Sequence, residues 1–286
     1  MKNNYIINKG YSVKYDLKSL LLCYDYFNHG IKLPRYIDYI FMRKILHYIL
    51  RIIIIIAYVL NLYKLKYKTI ILDENSIVIF KGKGEWANTV RLLEVDGGLK
   101  IQKITFDKQT YLREKNFYKN NYLNFKLPKM YFKGNNIIEI EFLKVKSFQR
   151  LINDGSINLD NSIYHFNKIK KFFKLFYKNN HSLIHSDMSI ENIFIKGNNY
   201  YLIDFSDSRI DDIQYDLYVL LRSIIFSFNH DKVNKQKNIY SLEKEKLSKL
   251  LKLNVEKIIQ FENQFINLDI KKHPNHANTI NKYCES

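Results

Sequence analysis

Asp187 and Asn192 stand in the stretch His185-Ser186-Asp187-Met188-Ser189-Ile190-Glu191-Asn192, and Asp204-Phe205-Ser206 follows shortly after. Oxygen-bearing side chains of these types can accept a proton from a hydroxyl and hold a hard divalent cation. Phosphoryl transfer from a nucleotide needs both, together with cationic groups on the phosphates. Between Asn192 and Asp204 the sequence predicts a hairpin: Ile193 to Ile195, a turn at Gly197-Asn198-Asn199, then Tyr201 to Ile203. Asp187 and Asn192 then share one loop, and Asp204 arrives from the end of the hairpin. The three side chains are the candidate catalytic group, with Asn192 and Asp204 as the metal ligands. His185 is expected to support the loop rather than react.

The elements that must position these groups change character along the chain. Residues 1–72 are expected as a helical leader, broken near Asn28-His29-Gly30 and Pro34. Strands are predicted at Ser76 to Phe80, Thr89 to Val95 and Leu99 to Ile104, the last two joined through Asp96-Gly97-Gly98, where glycine accepts the positive φ of a tight hairpin. A helix over Phe106 to Tyr122 carries Tyr111, Leu112, Lys115 and Tyr118 at helical spacing. Met130 to Phe132 and Ile137 to Phe142 give two more strands around Gly134-Asn135-Asn136. Beyond Asn161 the chain turns helical, through Ile163 to Tyr177 and again from Asp212 onwards. The result is an α+β plan, a sheet-rich part (73–143) followed by a helix-rich part (144–286) that carries the loop.

The pattern His-x-Asp-x-x-x-x-Asn, a hairpin, then Ile203-Asp204-Phe205 resembles the catalytic loop and metal-binding motif of the protein-kinase-like superfamily. That resemblance implies a bilobal fold, with a five-stranded antiparallel N-lobe and a mainly helical C-lobe, and ATP with Mg2+ as cofactors. It covers roughly residues 76–230. Residue by residue, Gly82-x-Gly84-x-x-Ala87 approximates the phosphate-covering loop, and Lys103 resembles the phosphate-binding lysine, with Lys100 as the other candidate. Glu114 falls where the lysine's acidic partner stands, although eleven residues after Lys103 is a short interval for the family. Glu141-Phe142-Leu143 falls at the hinge, where the Glu141 and Leu143 backbone could meet an adenine edge. Asp216 in Tyr215-Asp216-Leu217 looks like the helix-anchoring aspartate that supports the catalytic loop. Only eleven residues separate Asp204 from Asp216, with no Ala-Pro-Glu, and Ser189 stands where protein kinases of the Ser/Thr type carry a lysine. Both departures make the chain similar to the small-molecule branch, the aminoglycoside and choline phosphotransferases and the lipopolysaccharide core sugar kinases. The implied reaction is transfer of the ATP γ-phosphoryl group to a hydroxyl of a sugar, glycan or lipopolysaccharide core. A kinase-fold scaffold without activity and a protein kinase are the alternatives.

With 286 residues and 47% hydrophobic side chains the chain can bury a sizeable core. Its net charge of +18 is spread thinly, without an arginine-rich arm or a ribonucleoprotein signature, so nucleic acid is not expected as a partner. Cys23 and Cys284 lie at opposite ends and match no metal or redox spacing. The polar amino terminus does not begin a secretory signal, so a cytoplasmic protein is expected. Within residues 36–63, Ile52 to Leu60 is wholly apolar but short of a membrane span. Arg43, Lys44, His47 and Arg51 are expected on one helical face, opposite Ile40, Ile45, Tyr48 and Ile49. The segment is expected first as a helix packed on the domain, with an interfacial helix in peripheral contact with the cytoplasmic membrane, which this arrangement suits, and a true span as the alternatives.

Overall fold

The computed structural model describes residues 3–8, 11–26, 40–62, 68–72, 76–81, 88–120, 125–173, 181–229 and 239–272. The chain is mixed α+β and divides into two compact units, Met1–Asn158 with Glu191–Ser208, and Leu159–Ile190 with Arg209–Ser286. An antiparallel sheet followed by a helical portion is compatible with the bilobal kinase-like plan.

In the first unit β1 (Asn3–Asn8), β2 (Tyr11–Lys14), β3 (Lys68–Leu72), β4 (Ser76–Lys81), β5 (Thr89–Val95), β6 (Gly98–Ile104), β7 (Met130–Gly134) and β8 (Ile137–Glu141) form one sheet in the order β3-β1-β2-β4-β5-β6-β8-β7. Every pairing in it is antiparallel. The five expected strands are β4 to β8. The helical leader is corrected: α1 (Leu17–Tyr26) and α2 (Ile40–Val59) are helices, but segment 1–72 also adds three strands and widens the sheet to eight. β1 reads Asn-Asn-Tyr-Ile-Ile-Asn, which lacks the period-two alternation by which a half-buried strand is recognised. Its place comes from pairing with β2 on one side and β3 on the other.

Local chemistry explains the remaining elements of this unit. Asp96 and Gly97 both adopt positive φ, 52° and 74°, as a two-residue hairpin between twisted strands requires. α3 (Lys108–Lys119) starts at Asp107, whose side chain accepts the Thr110 N–H at 2.6 Å. Its buried face is Thr110, Tyr111, Glu114 and Phe117, the i, i+3/i+4, i+7 stripe. Leu112 lies off that face and is half exposed. α1 and α2 bring Leu20, Cys23, Tyr24, Leu50 and Ile54 into a cluster with Ile77, Val78 and Leu92 of the sheet. Burial there pushes the Cys23 thiol up to about 12, so it stays an inert packing group. After β8, Ser147 caps the short α4 (Phe148–Asn153) by accepting the Arg150 N–H at 3.2 Å. The expected hairpin is present as β10 (Ile193–Lys196) and β11 (Asn199–Leu202).

The second unit is mainly helical. α5 (Leu159–Phe173), α6 (Gln214–Asn229), α7 (Ile239–Leu251) and α8 (Val255–Lys272) pack around Phe166, Ile169, Leu217, Leu220, Ile224, Ile258 and Phe261, all essentially without solvent exposure. The Lys170 ammonium donates to the Leu250 and Leu251 carbonyls at 2.8 and 3.3 Å, which satisfies carbonyls that the end of α7 leaves open. Two short strands, β9 (His181–Ile184) and β12 (Arg209–Asp212), pair antiparallel beside these helices. No helix among the described residues is long and apolar enough to cross a membrane.

Leu92 is buried in the central strand β5, while Leu112 is half exposed on α3. Leu92→Ala should therefore cost about 2–5 kcal/mol in denaturant unfolding, against less than about 0.5 kcal/mol for Leu112→Ala.

Candidate functional site

The first unit gathers three charged side chains that the sequence spreads over a hundred residues. β6 pairs with β5 and β8 on its two sides, and this register turns Lys103 inward, to 4% exposure, while Lys100 stays exposed. Lys103 Nζ lies 2.5 Å from Glu114 Oε1 and 2.7 Å from Asp204 Oδ1. Lys103 is therefore the lysine that meets the two acids, and Lys100 is set aside. Glu114 is fully buried in the middle of the inward stripe of α3. The short interval after Lys103 is enough because α3 begins at once on its Asp107 cap.

Asp204 leaves the end of β11 at φ 63°, an uncommon region for a side chain with a Cβ, costing on the order of 1 kcal/mol. Two contacts hold it there. The next residue, Phe205, is fully buried and stacks on Phe117 of α3, ring centroids 4.5 Å apart and planes 15° from parallel. Ser206 Oγ donates to Asp204 Oδ1 at 2.6 Å. At the other end of the hairpin the Ile203 N–H donates to the Asn192 carbonyl at 3.1 Å, so the hairpin closes directly at Asn192. Asn192 itself is nearly buried.

The electrostatics follow from burial. Burial alone would lower the Lys103 ammonium, but the Asp204 and Glu114 carboxylates outweigh it and hold the group above its ordinary range. Burial pushes Glu114 up to about 6, partly offset by Lys103 and reinforced by the Asp204 charge. One partner is thus held charged while the other is drawn toward neutrality. At neutral pH the lysine's direction decides, because two carboxylates face one ammonium and an acid titrating near 6 is ionised at pH 7. Among the described residues the partner of the Glu114 carboxylate is the Lys103 ammonium, 2.5 Å from Oε1.

The second unit organises the loop that carries Asp187. β9 ends at Ile184, and the chain then turns through Ser186 at φ 70°. Asp216, fully buried in the first turn of α6, accepts the His185 and Ser186 backbone N–H groups, each at 2.7 Å. Burial raises the Asp216 carboxyl, against the pull of His185 and of the two N–H groups. His185 is buried, and its Nδ1 accepts the Asp187 N–H at 3.2 Å. Its place is that of a support for the loop's backbone. Met188 and Ile190 are buried on either side of Ser189, and the Ile190 N–H donates to Ser223 Oγ at 3.2 Å. Asp187 is left partly exposed between these anchors.

Other expected residues fall elsewhere. Gly82 and Gly84 lie outside the described residues, in the connection between paired Lys81 and Thr89. Glu141 closes β8, its N–H donating to the Lys129 carbonyl at 2.9 Å and its Oε2 accepting the Lys129 N–H at 3.2 Å. Its amide is therefore already engaged, while Leu143 sits in the segment that follows the strand. Among the described residues no group of three or more His, Cys, Asp or Glu could hold a metal. Sequence reasoning passed over Ser206, Ser223 and Arg209, whose guanidinium donates to Ser186 Oγ and to Asp211 at 2.9 Å. For Ser206 a signal existed, a hydroxyl two residues after an aspartate. For Arg209 and Ser223 there was none short of the fold.

The sequence model of the phosphotransferase enzyme family, APH, matches residues 174–244. The matched segment is about a quarter of the chain and contains Asp187, Asn192, Asp204 and Asp216. The chain is thus similar over this stretch to kinase-like phosphotransferases. No curated protein matches it.

Two outcomes test the site's physics. The raised Glu114 value means its protonated form favours the folded state. That contribution is present below about pH 4.5 and is lost as the pH rises through about 6. Between pH 4.5 and 7, Glu114→Gln should lack this loss, read as the wild-type minus variant difference in denaturant unfolding. Asp216→Asn sets an amide NH2 against N–H donors in a buried position and should cost about 1–3 kcal/mol, measured by thermal unfolding.

Proposed function

We propose that this protein transfers the γ-phosphoryl group of ATP to a hydroxyl of a sugar, glycan or lipopolysaccharide core acceptor. The observation that carries the reading is the buried Lys103 cation, pinned between Glu114 and Asp204. A lysine desolvated between two acids, one of them on a hairpin that begins at an asparagine, is an arrangement suited to gripping phosphates and a metal rather than to building a core. The match to phosphotransferases over residues 174–244 supports the same chemistry from the sequence side.

On this reading Lys103 binds the α and β phosphates and Glu114 orients it. Asp187 accepts the proton of the attacking hydroxyl, or holds that hydroxyl in line. Gly82 and Gly84 cover the phosphates with backbone N–H groups, and the backbone at Leu143 meets the adenine. His185 and Asp216 hold the loop that presents Asp187. Asn192 and Asp204 are hard oxygen donors that fit Mg2+, which takes few protein ligands and completes its shell with substrate phosphates and water. When bound, the ion would neutralise charge developing on the transferred group.

The small-molecule or glycan acceptor is favoured by what fills the interval from Asp204 to Asp216. Four of those residues are spent on β12, which pairs with β9. Little chain remains for the long activation segment with which protein kinases dock peptides. The scattered positive charge suits nucleotide and anionic glycan alike.

Purified protein with γ-labelled ATP and Mg2+ should label a glycan or sugar in a screen of sugars, choline, core glycans and peptides. Asp187→Asn should lower that rate by about 100-fold or more, and Lys103→Ala should raise the ATP requirement as well. Peptide labelling at a comparable rate would make it a protein kinase. The absence of both acceptor labelling and ATP binding would leave a scaffold.

A further inference from the structure

We infer that the outward face of α2 docks on an anionic lipid surface. The inference does not rest on the phosphotransferase reading. α2 is apolar on both sides. Its inner side is used: Leu50 and Ile54, 7% and 5% exposed, pack in the core of the first unit. On the outer side Ile49, Ile52, Ile53, Ile56, Val59 and Leu60 recur at helical spacing, with Ile52 54%, Ile56 50%, Val59 67% and Leu60 60% exposed. An ordinary surface helix carries charged or polar groups there. A stripe of branched aliphatic side chains of this length marks a surface that is covered in use.

The two basic side chains that face inward sharpen this. His47 and Arg51 were expected beside Arg43 and Lys44 as a solvated cationic face. His47 Nδ1 instead lies 2.8 Å from the Tyr24 hydroxyl with the rings stacked, and the Arg51 guanidinium reaches Asp25 at 3.3 Å. Both are tied to α1, with 41% of the Arg51 side chain still exposed at the edge of the aliphatic stripe.

Charge identifies the occupant. From Tyr39 to Leu72 the sequence contains no Asp or Glu, while Arg43, Lys44, Lys64, Lys66 and Lys68 bracket the aliphatic stripe. A segment rich in lysine and arginine and free of acids complements phosphate headgroups, with the exposed aliphatic side chains of α2 entering the acyl boundary. A protein partner would call for several hydrogen-bonding groups and arginine anchors within the patch; the six aliphatic residues supply none, and the one aromatic beside them, Tyr48 at 69% exposure, is an amphipathic ring of the kind that sits at headgroup level. The helix does not reach the apolar length of a span, so it lies in the plane of the surface.

The test uses the full chain without nucleotide, in sedimentation with vesicles of phosphatidylcholine alone or with 30% phosphatidylglycerol. The protein should partition onto the anionic vesicles about tenfold or more better than onto the neutral ones, and less so at high salt. Ile52→Asp with Ile56→Asp should abolish partitioning while the melting temperature stays unchanged, since both side chains are exposed. Three results overturn the inference: no partitioning onto either vesicle, partitioning that the double variant retains, or a dimer in solution that the variant dissociates without any vesicle binding. The last would assign the face to a second copy of this chain.

Discussion

A positive charge cannot be taken out of water without partners, and Lys103 has two. Its desolvation is offset only because α3 delivers Glu114 from one direction and the β10–β11 hairpin delivers Asp204 from another. The pair therefore constrains three elements at once: the register of β6, the rotation of α3 and the exit of β11. Removing either acid would leave a buried ammonium undercompensated, a loss larger than the net value of the contact. The Phe117–Phe205 stack supports the same junction with apolar surface, one ring from the helix that carries Glu114 and the other from the residue after Asp204. Packing and charge thus specify a single placement of Asp204 despite its left-handed backbone.

The loop carrying Asp187 is held by a different device. Asp216 accepts two consecutive N–H groups from the first turn of α6, a helix whose next residues are among the most buried in the chain. A carboxylate fixed to a rigid helix and bonded to backbone transmits the helix's position to the loop without depending on any loop side chain. His185 Nδ1 then accepts the Asp187 N–H, so three consecutive backbone N–H groups of the loop are bonded. The Asp187 carboxylate is left partly exposed while His185, Ser186 and Asp216, which hold its backbone, are buried. The loop's geometry is thereby set by buried backbone bonds and not by the side chain it presents.

The leader shows how an apparent appendage becomes part of a fold. β1, β2 and β3 extend the sheet, and α1 and α2 cover it, so Tyr24, Leu50 and Ile54 belong to the same core as Ile77 and Leu92. The helix that seals this core is also the one whose outer face is unusually apolar. Stability and surface chemistry meet in α2, on opposite sides of one cylinder.

Much of this was legible in residue order. The five strands β4 to β8, the hairpin β10–β11 and helix α3 rest on local signals: glycine and asparagine at turns, β-branched runs, and a spacing that places Asp187, Asn192 and Asp204 within eighteen positions. The candidate residues could be named because the chemistry expected of them demands particular types at short separations. Other features were beyond local reading. Alternation along the strand puts Lys103 on the face of Leu99 and Ile101 and favours it over Lys100, but only pairing with β5 and β8 shows that this face turns it inward to the acids. Helical spacing alone did not say which face of α3 is buried, because a buried glutamate looks polar in sequence and the half-exposed Leu112 looks apolar. β1 carries no alternation and exists through its neighbours. The sequence alone determined which groups could act and which turns join the strands, since those depend on neighbours along the chain. The tertiary structure decided which lysine meets the acids, which face of each helix is buried and how far the sheet extends, because those depend on partners a hundred residues away.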